Sequence, residues 1–317
     1  MTVPERLSAL RKCMQEKHID IYIVPTADFH QSEYVGEHFK ARAYITGFTG
    51  SAGTAVITLH DAKLWTDGRY FLQASKQLEG TGVTLMKMFE PGVPTIEEYL
   101  EAELKSGQTL SFDGRVVSVG EGDEYASIAK KNGAKIDYQE DLIDAIWTGR
   151  PPLSEEPVWF LEEKYSGEST ESKLSRIRKE MADAGCDTHV VSTLDDICWA
   201  LNIRGNDIDF FPLVLSYAII KKDSFDLYID ERKLDDKLKT IFKKEGVNLH
   251  PYNAIYEDVK KLPKNATVLI DKTKLNYAIF NNIPASVHVV NKRNPAILMK
   301  ALKNPVEIEN IRKAQIK

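Results

Sequence analysis

One stretch of pattern occurs twice in this chain, and a duplication of that length leaves few architectures open. Residues 6–28, RLSALRKCMQEKHIDIYIVPTAD, align without a gap on residues 173–195, KLSRIRKEMADAGCDTHVVSTLD, and nine of the 23 positions are identical. Roughly one or two identities would arise by chance at background residue frequencies. The match continues as the offset drifts from 167 to 163 and then 158, as loop insertions and deletions produce. Leu64-Trp65-Thr66-Asp67-Gly68-Arg69 meets Leu227-Tyr228-Ile229-Asp230-Glu231-Arg232, and Thr109–Asp113 meets Thr267–Asp271. A unit of about 150 residues is too long for a solenoid repeat, so the pattern describes a duplicated domain.

The 317 residues suffice for two domains that each bury a core, and a composition 43% hydrophobic and 28% charged is that of a globular protein. A net charge of -5 argues against nucleic acid, which needs a concentrated basic face. Lys243-Lys244 and Lys260-Lys261 read as solvated helix faces. The start, Met-Thr-Val-Pro-Glu-Arg, lacks the apolar segment of a signal peptide, and the longest apolar run, from Phe210 to Ile220, is too short to span a membrane. Cys13, Cys186 and Cys198 are odd in number and sit in apolar patterns, as reduced core thiols of a cytoplasmic protein do.

Within the first copy, Thr2-x-x-Glu5 with Pro4 is a helix start, and Leu7, Leu10, Cys13 and Met14 share one helical face. Strand-like runs follow at Ile21–Val24, Ala43–Thr46, Thr54–Thr58, Lys63–Thr66, Val83–Met86, Thr109–Phe112 and Lys135–Tyr138, with a hairpin at His60-Asp61. Helical patterns lie at Arg69–Leu78, Thr95–Lys105 and Gly122–Asn132. This interleaving predicts an α/β fold in two tandem domains, each a mixed β-sheet flanked by helices. The boundaries read as 1–150 for the first domain, a proline-flanked linker at 151–157, and 158–303 for the second. Residues 304–317 begin a further helix: Asn304-Pro305-Val306-Glu307 is a strong start, no stop precedes Lys317, and the polypeptide is expected to continue.

Four places carry polar chemistry. Gly47, Gly50 and Gly53 punctuate a segment that fits neither a phosphate loop nor a nucleophile elbow. It reads either as a tight turn or as the wall of a pocket. Asp67-Gly68-Arg69 follows a strand and reads either as a capped turn or as an arginine fork for a carboxylate or carbonyl. His30 and Glu33 follow the first strand, where α/β sheets commonly place ligands; a hydrogen-bonded loop histidine is the competing account of His30. The carboxylate pairs Asp195-Asp196 and Asp207/Asp209 are of a kind frequent in capped turns. The seven histidines show no His-x₃-His pair and the cysteines no Cys-x₂-Cys pair, so no metal set and no complete catalytic constellation emerges.

Three motifs in order, Asp28-x-His30-Gln31-Ser32-Glu33-Tyr34, Gly47-Phe48-x-Gly50-Ser51-Ala52-Gly53-Thr54-Ala55 and Trp65-Thr66-Asp67-Gly68-Arg69-Tyr70-Phe71-Leu72-Gln73-Ala74, resemble the N-terminal domain of three-domain Xaa-Pro aminopeptidases. Leu194-Asp195-x-Ile197-x-Trp199-x-x-Asn202-x-Arg204-Gly205-x-Asp207 and Pro212-x-x-x-Ser216-Tyr217-Ala218-Ile219-Ile220 resemble that family's second domain. The segment from Lys303 to Ala314 resembles the lead-in to its third, catalytic domain.

The resemblance implies two tandem creatinase-N-terminal-like domains with a ribonuclease-H-like motif, a fold analogy that carries no nuclease function. It implies a parent metallopeptidase that releases the N-terminal residue preceding proline, using two divalent metal ions, typically manganese. All five ligands of those ions belong to the third domain, so this region is expected to hold no metal and to be inactive alone. Its role would be to shape substrate access and domain assembly in a cytoplasmic homodimer, with Arg69, His30 and Glu33 as substrate-binding residues and copy two as a spacer. Peptides with proline in second position and the missing catalytic domain are the partners implied; nucleic acid and membrane are not. The alternatives are a stand-alone peptide or protein interaction module and the N-terminal region of a creatinase- or prolidase-like hydrolase.

Overall fold

The computed structural model describes residues 1–316, which divide into two compact units. The first comprises Met1–Phe29 and Glu33–Leu153; the second comprises His30–Ser32 and the residues from Ser154 onward.

The first unit begins with the helix Val3–Glu16, whose Thr2 and Glu5 form the capping box read from sequence and whose Leu7, Leu10 and Met14 are buried. Six strands follow: β1 (Ile21–Pro25), β2 (Thr54–Thr58), β3 (Ala62–Thr66), β4 (Thr84–Lys87), β5 (Thr109–Phe112) and β6 (Lys135–Asp137). They form one sheet in the order β4-β3-β2-β1-β5-β6. The β2–β3 hairpin closes at His60-Asp61, with Thr58 N donating to Asp61 O at 2.9 Å. The outer strands β4, β5 and β6 join in parallel through crossovers, which makes the sheet mixed.

The second unit repeats this plan. Beside its main sheet, β7 (Trp159–Phe160) and β9 (Ile203–Arg204) pair as a separate two-stranded antiparallel ribbon. Its sheet is built from β8 (Thr188–Val191), β10 (Tyr217–Lys221), β11 (Phe225–Tyr228), β12 (Val247–His250), β13 (Thr267–Ile270) and β14 (His288–Asn291). The order β12-β11-β10-β8-β13-β14 is that of the first sheet, with the same parallel and antiparallel joins. Register agrees as well. Ile21 faces Thr58 and lies beside Leu110, while Thr188 faces Lys221 and lies beside Val268. Those three pairs are related by the offsets of 167, 163 and 158 read from the sequence. Because a one-residue slip would turn every side chain to the opposite face, shared register means the two cores are organised alike.

Two readings are corrected. Ala43–Thr46 is not a strand but the end of the helix Ala41–Thr46, stopped by Gly47 in the left-handed region at φ 77°. A short apolar run cannot be assigned by periodicity alone. Here tertiary packing decides: Ile45 is fully buried and the Tyr44 ring stacks on Trp147 at 4.5 Å. The helix expected from Arg69 starts at Phe71, because residues 67–70 form a turn in which Tyr70 N bonds Asp67 O. Asp67 therefore does not cap the helix.

Candidate functional site

Arg69 stands at the end of β3, and its orientation is set within three residues. The Asp67 carboxylate accepts from Arg69 N at 3.0 Å, from Nε at 2.9 Å and from Nη2 at 2.8 Å. This planar fork is a bidentate pair on top of an Asx turn, and it fixes the guanidinium although the side chain is 68% exposed. Arg69 holds the Asp67 carboxyl below the usual range, and Asp67 in turn raises Arg69. The guanidinium lies 5.3 Å from the Tyr70 ring centre.

The glycine loop 47–53 packs against the same turn. Ser51 Oγ and Tyr70 Oη are 2.6 Å apart, and Thr66 Oγ1 donates to Ala52 O at 2.7 Å. A Cβ at Gly50 would lie 2.2 Å from the Phe48 ring and 2.7 Å from Tyr70, so only glycine lets the loop approach this closely. The loop is organised by a residue the sequence reading missed. Arg42, 3% exposed, donates Nη1 to Phe48 O, Nη2 to Gly50 O, and Nε to Thr26 Oγ1 at 2.9 Å. Among the described residues no carboxylate pairs with it. Burial pulls its guanidinium down to about 10.

The other sequence candidates sit differently. Glu33 is exposed and belongs to the first unit with Arg69. His30 is 1% exposed and packs in the second unit. Its Nδ1 is 2.8 Å from Ser192 O, which can only accept, so Nδ1 carries a proton; Nε2 is 2.6 Å from Tyr252 Oη. Its ring also lies 4.4 Å from that of Tyr217. Both ring nitrogens are thus engaged, and a ligand contact would require one of these bonds to open.

Two polar clusters that the sequence did not reveal lie at the carboxyl ends of the parallel central strands. Beside β1 and β5, Arg115 forks onto buried Asp113, and Arg150 Nη1 bonds Asp141 at 2.6 Å. Burial pushes the Asp113 carboxyl up in spite of that arginine. Beside β8 and β13, buried His189 lies 3.3 Å from Asn294 Oδ1, Asn294 Nδ2 donates to Asp196 at 2.8 Å, and Lys300 reaches Asp196 at 2.7 Å. Burial lowers His189 and raises Asp196. Among the described residues no group of three or more His, Cys, Asp or Glu is placed to hold a metal ion, so the side chains here do not fit a metal centre. No described helix is long and apolar enough to cross a membrane.

Comparison with known proteins agrees with this architecture. Two family models, each described as a creatinase/prolidase N-terminal domain, match residues 6–146 and 149–307. The protein named Probable Xaa-Pro aminopeptidase P in Neurospora crassa is 41% identical over 325 residues, covering 99% of this chain and 47% of that protein. Xaa-Pro aminopeptidase 1 of Dictyostelium discoideum is 37% identical, covering 100% of this chain and 52% of its own length. The crystal structure of X-prolyl aminopeptidase from Caenorhabditis elegans, a cytosolic enzyme with a di-nuclear active site, superposes with a TM-score of 0.93 at 32% identity. The match covers 99% of this chain and 53% of that one. The chain therefore spans about half the length of the relatives it matches. With two matches in tandem over two sheets of one topology, the chain belongs to the creatinase/prolidase N-terminal domain family and carries that domain twice.

Proposed function

We propose that the two domains are the non-catalytic N-terminal region of a Xaa-Pro aminopeptidase that releases the residue preceding proline. One observation carries the reading: similarity to such enzymes runs over 99% of this chain yet over only 47% of the Neurospora relative. The described residues do not fit a dinuclear centre, so metal chemistry is assigned to the remainder of the longer protein. When bound there, two divalent ions, manganese in this reading, would activate water and polarise the scissile carbonyl.

The first domain's part is to position substrate. Arg69 is suited to it, being exposed, permanently charged and held rigid by its own aspartate. Glu33, exposed in the same unit, and His30, three residues before it in the chain, complete the proposed set of substrate-binding residues. The second domain acts as spacer and support, and the parent enzyme works as a cytoplasmic homodimer on peptides with proline in second position. The test compares this chain with the polypeptide extended to its relatives' length, assayed on an Ala-Pro peptide with added manganese. Activity only in the longer protein is expected. Activity in the 317-residue chain, or none in a longer protein that keeps its metal ligands, overturns the reading.

A further inference from the structure

Counted back without a gap from the strands that register the two sheets, Phe210 of the second domain falls on Gly47 of the first, and Phe211 on Phe48. Gly47 and Phe210 both hold the left-handed conformation, at φ 77° and 67°. Glycine adopts it freely, whereas a bulky side chain there is strained. The two loops differ in what their side chains do next. Phe48 is fully buried in its own domain, but Phe211 is 37% exposed and Phe210 is 101% exposed. Burial of the Phe210 ring therefore does not offset the strain of its backbone. Strain that the fold itself leaves uncompensated concentrates at positions that contact ligands.

The segment around Phe210 is a tight hairpin with a fixed base. Ile208 bridges Phe211, Phe211 N donates to Ile208 O at 3.1 Å, and Asp207 N donates to Leu213 O at 3.2 Å. Asp207 pairs with buried Lys233 and accepts from Leu215 N at 2.6 Å, which holds the base in place. Asp209 and Phe210 form the tip. Asp209 is exposed and has no ion-pair partner among the described residues, whereas Asp207 is neutralised by Lys233. The tip thus carries one unmatched negative charge beside an open aromatic face, both held ready by a rigid base. A complementary ligand presents a cation and a compact apolar ring one residue apart. A peptide that begins Xaa-Pro has both: a terminal ammonium, and a pyrrolidine ring of the kind that aromatic surfaces take up in proline recognition.

We propose that the hairpin tip of the second domain is a binding site for the N-terminal end of a peptide with proline in second position, with the Phe210 ring against the proline and the Asp209 carboxylate on the ammonium. The peptide as occupant rests on the function proposed above. An exposed contact of this size is weak and its charged part is screened by salt, so the method must report on the tip itself. The ring resonances of Phe210 and the backbone amide of Asp209 would be followed by NMR in the 317-residue chain. The probes are Ala-Pro-Ala, its N-acetyl derivative and Ala-Ala-Ala.

Ala-Pro-Ala is expected to shift both groups saturably, and the other two peptides to act several-fold more weakly. Asp209→Asn should weaken the response to Ala-Pro-Ala to that of the acetylated peptide. Phe210→Gly should abolish the shift of the Asp209 amide and at the same time raise the urea midpoint, because glycine relieves the left-handed position. An unmoved Phe210, an equal response to Ala-Ala-Ala or to the acetylated peptide, or a lowered midpoint in Phe210→Gly overturns the proposal. A molecular mass that rises with protein concentration and falls back in Phe210→Gly would give the ring to a second copy of the chain, and overturns it as well. Peptidase activity does not enter this readout, so its failure leaves the aminopeptidase reading standing, and an inactive longer protein leaves the binding measurement intact.

Discussion

Lys233 and Asp207 form an ion pair whose side chains are 1% and 0% exposed, and Lys233 stands at the position in the second copy that Tyr70 holds in the first. Lys233 follows Arg232 as Tyr70 follows Arg69, and each residue ties the turn after a strand to the neighbouring loop. In the first domain the tie is two hydroxyls beside an exposed arginine. In the second it is buried charge, reinforced by Leu215 N donating to Asp207 at 2.6 Å.

Breaking that buried pair is expected to be costly. Lys233→Met leaves Asp207 charged and without its cation, a loss of about 3–5 kcal/mol. Ser51→Ala should cost at most about 1 kcal/mol, since solvent replaces the lost bond. Urea unfolding of the two variants measures both; equal destabilisation would show that the two ties are energetically alike.

Arg42→Met strands the Phe48 and Gly50 carbonyls, each a loss of about 1–3 kcal/mol if it stays dry. Gly50→Ala drives a methyl into the Phe48 ring and should cost about 1–3 kcal/mol by overpacking. Denaturant midpoints report both. Stability unchanged in both variants would mean that the loop is not held by these contacts.

Arg69→Ala should leave the unfolding midpoint unchanged, because the side chain is exposed and its bonds are local. In the longer enzyme it should lower kcat/KM roughly 10- to 150-fold, the effect of one charge-assisted hydrogen bond to substrate. Steady-state kinetics on an Ala-Pro peptide decide; unchanged kinetics would remove Arg69 from the site.

Asp226 gives the second domain an acid-sensitive contact. Burial would raise its carboxyl, but hydrogen bonds from Asn248, Lys221 and His250 outweigh it and hold the carboxyl below the usual value of 3.8. A depressed carboxylate contributes stability that is present above its unfolded pKa and is lost as pH falls through the folded one. Stability should therefore fall from about pH 4 downward, and less steeply in Asp226→Asn. Thermal unfolding across that range tests it; parallel acid limbs in the two proteins would exclude the contact.

The duplication makes the sheets legible because register follows hydrophobic pattern, and pattern survives in both copies. Strand β1 and its counterpart β8 align residue by residue in the sequence itself. What stays hidden depends on partners far apart in sequence. Lys233 and Asp207 are 26 residues apart, and buried Lys173 donates to Trp199 O at 2.9 Å across a similar gap. Burial drags that lysine down to about 8. Nothing local distinguishes such side chains from solvated ones. The Ala43–Thr46 run misleads for a related reason, since its helix is stabilised by a ring stacked from residue 147. The forks are a different case. Asp67-x-Arg69, Asp113-x-Arg115 and Asp230-x-Arg232 all follow apolar strand runs, and that recurrence is itself a signal in the sequence.

The fork also has a consequence for inheritance. Everything that aims the guanidinium lies in one tripeptide after a strand, so the device travels with any duplication that copies the strand. No distant residue has to change in step. A protein with such portable parts can surround the same fork differently in each copy, as the Glu155 ion pair on Arg232 and the lone Asp67 partner of Arg69 among the described residues illustrate. Divergence of function between the two domains then requires few substitutions and no change of fold.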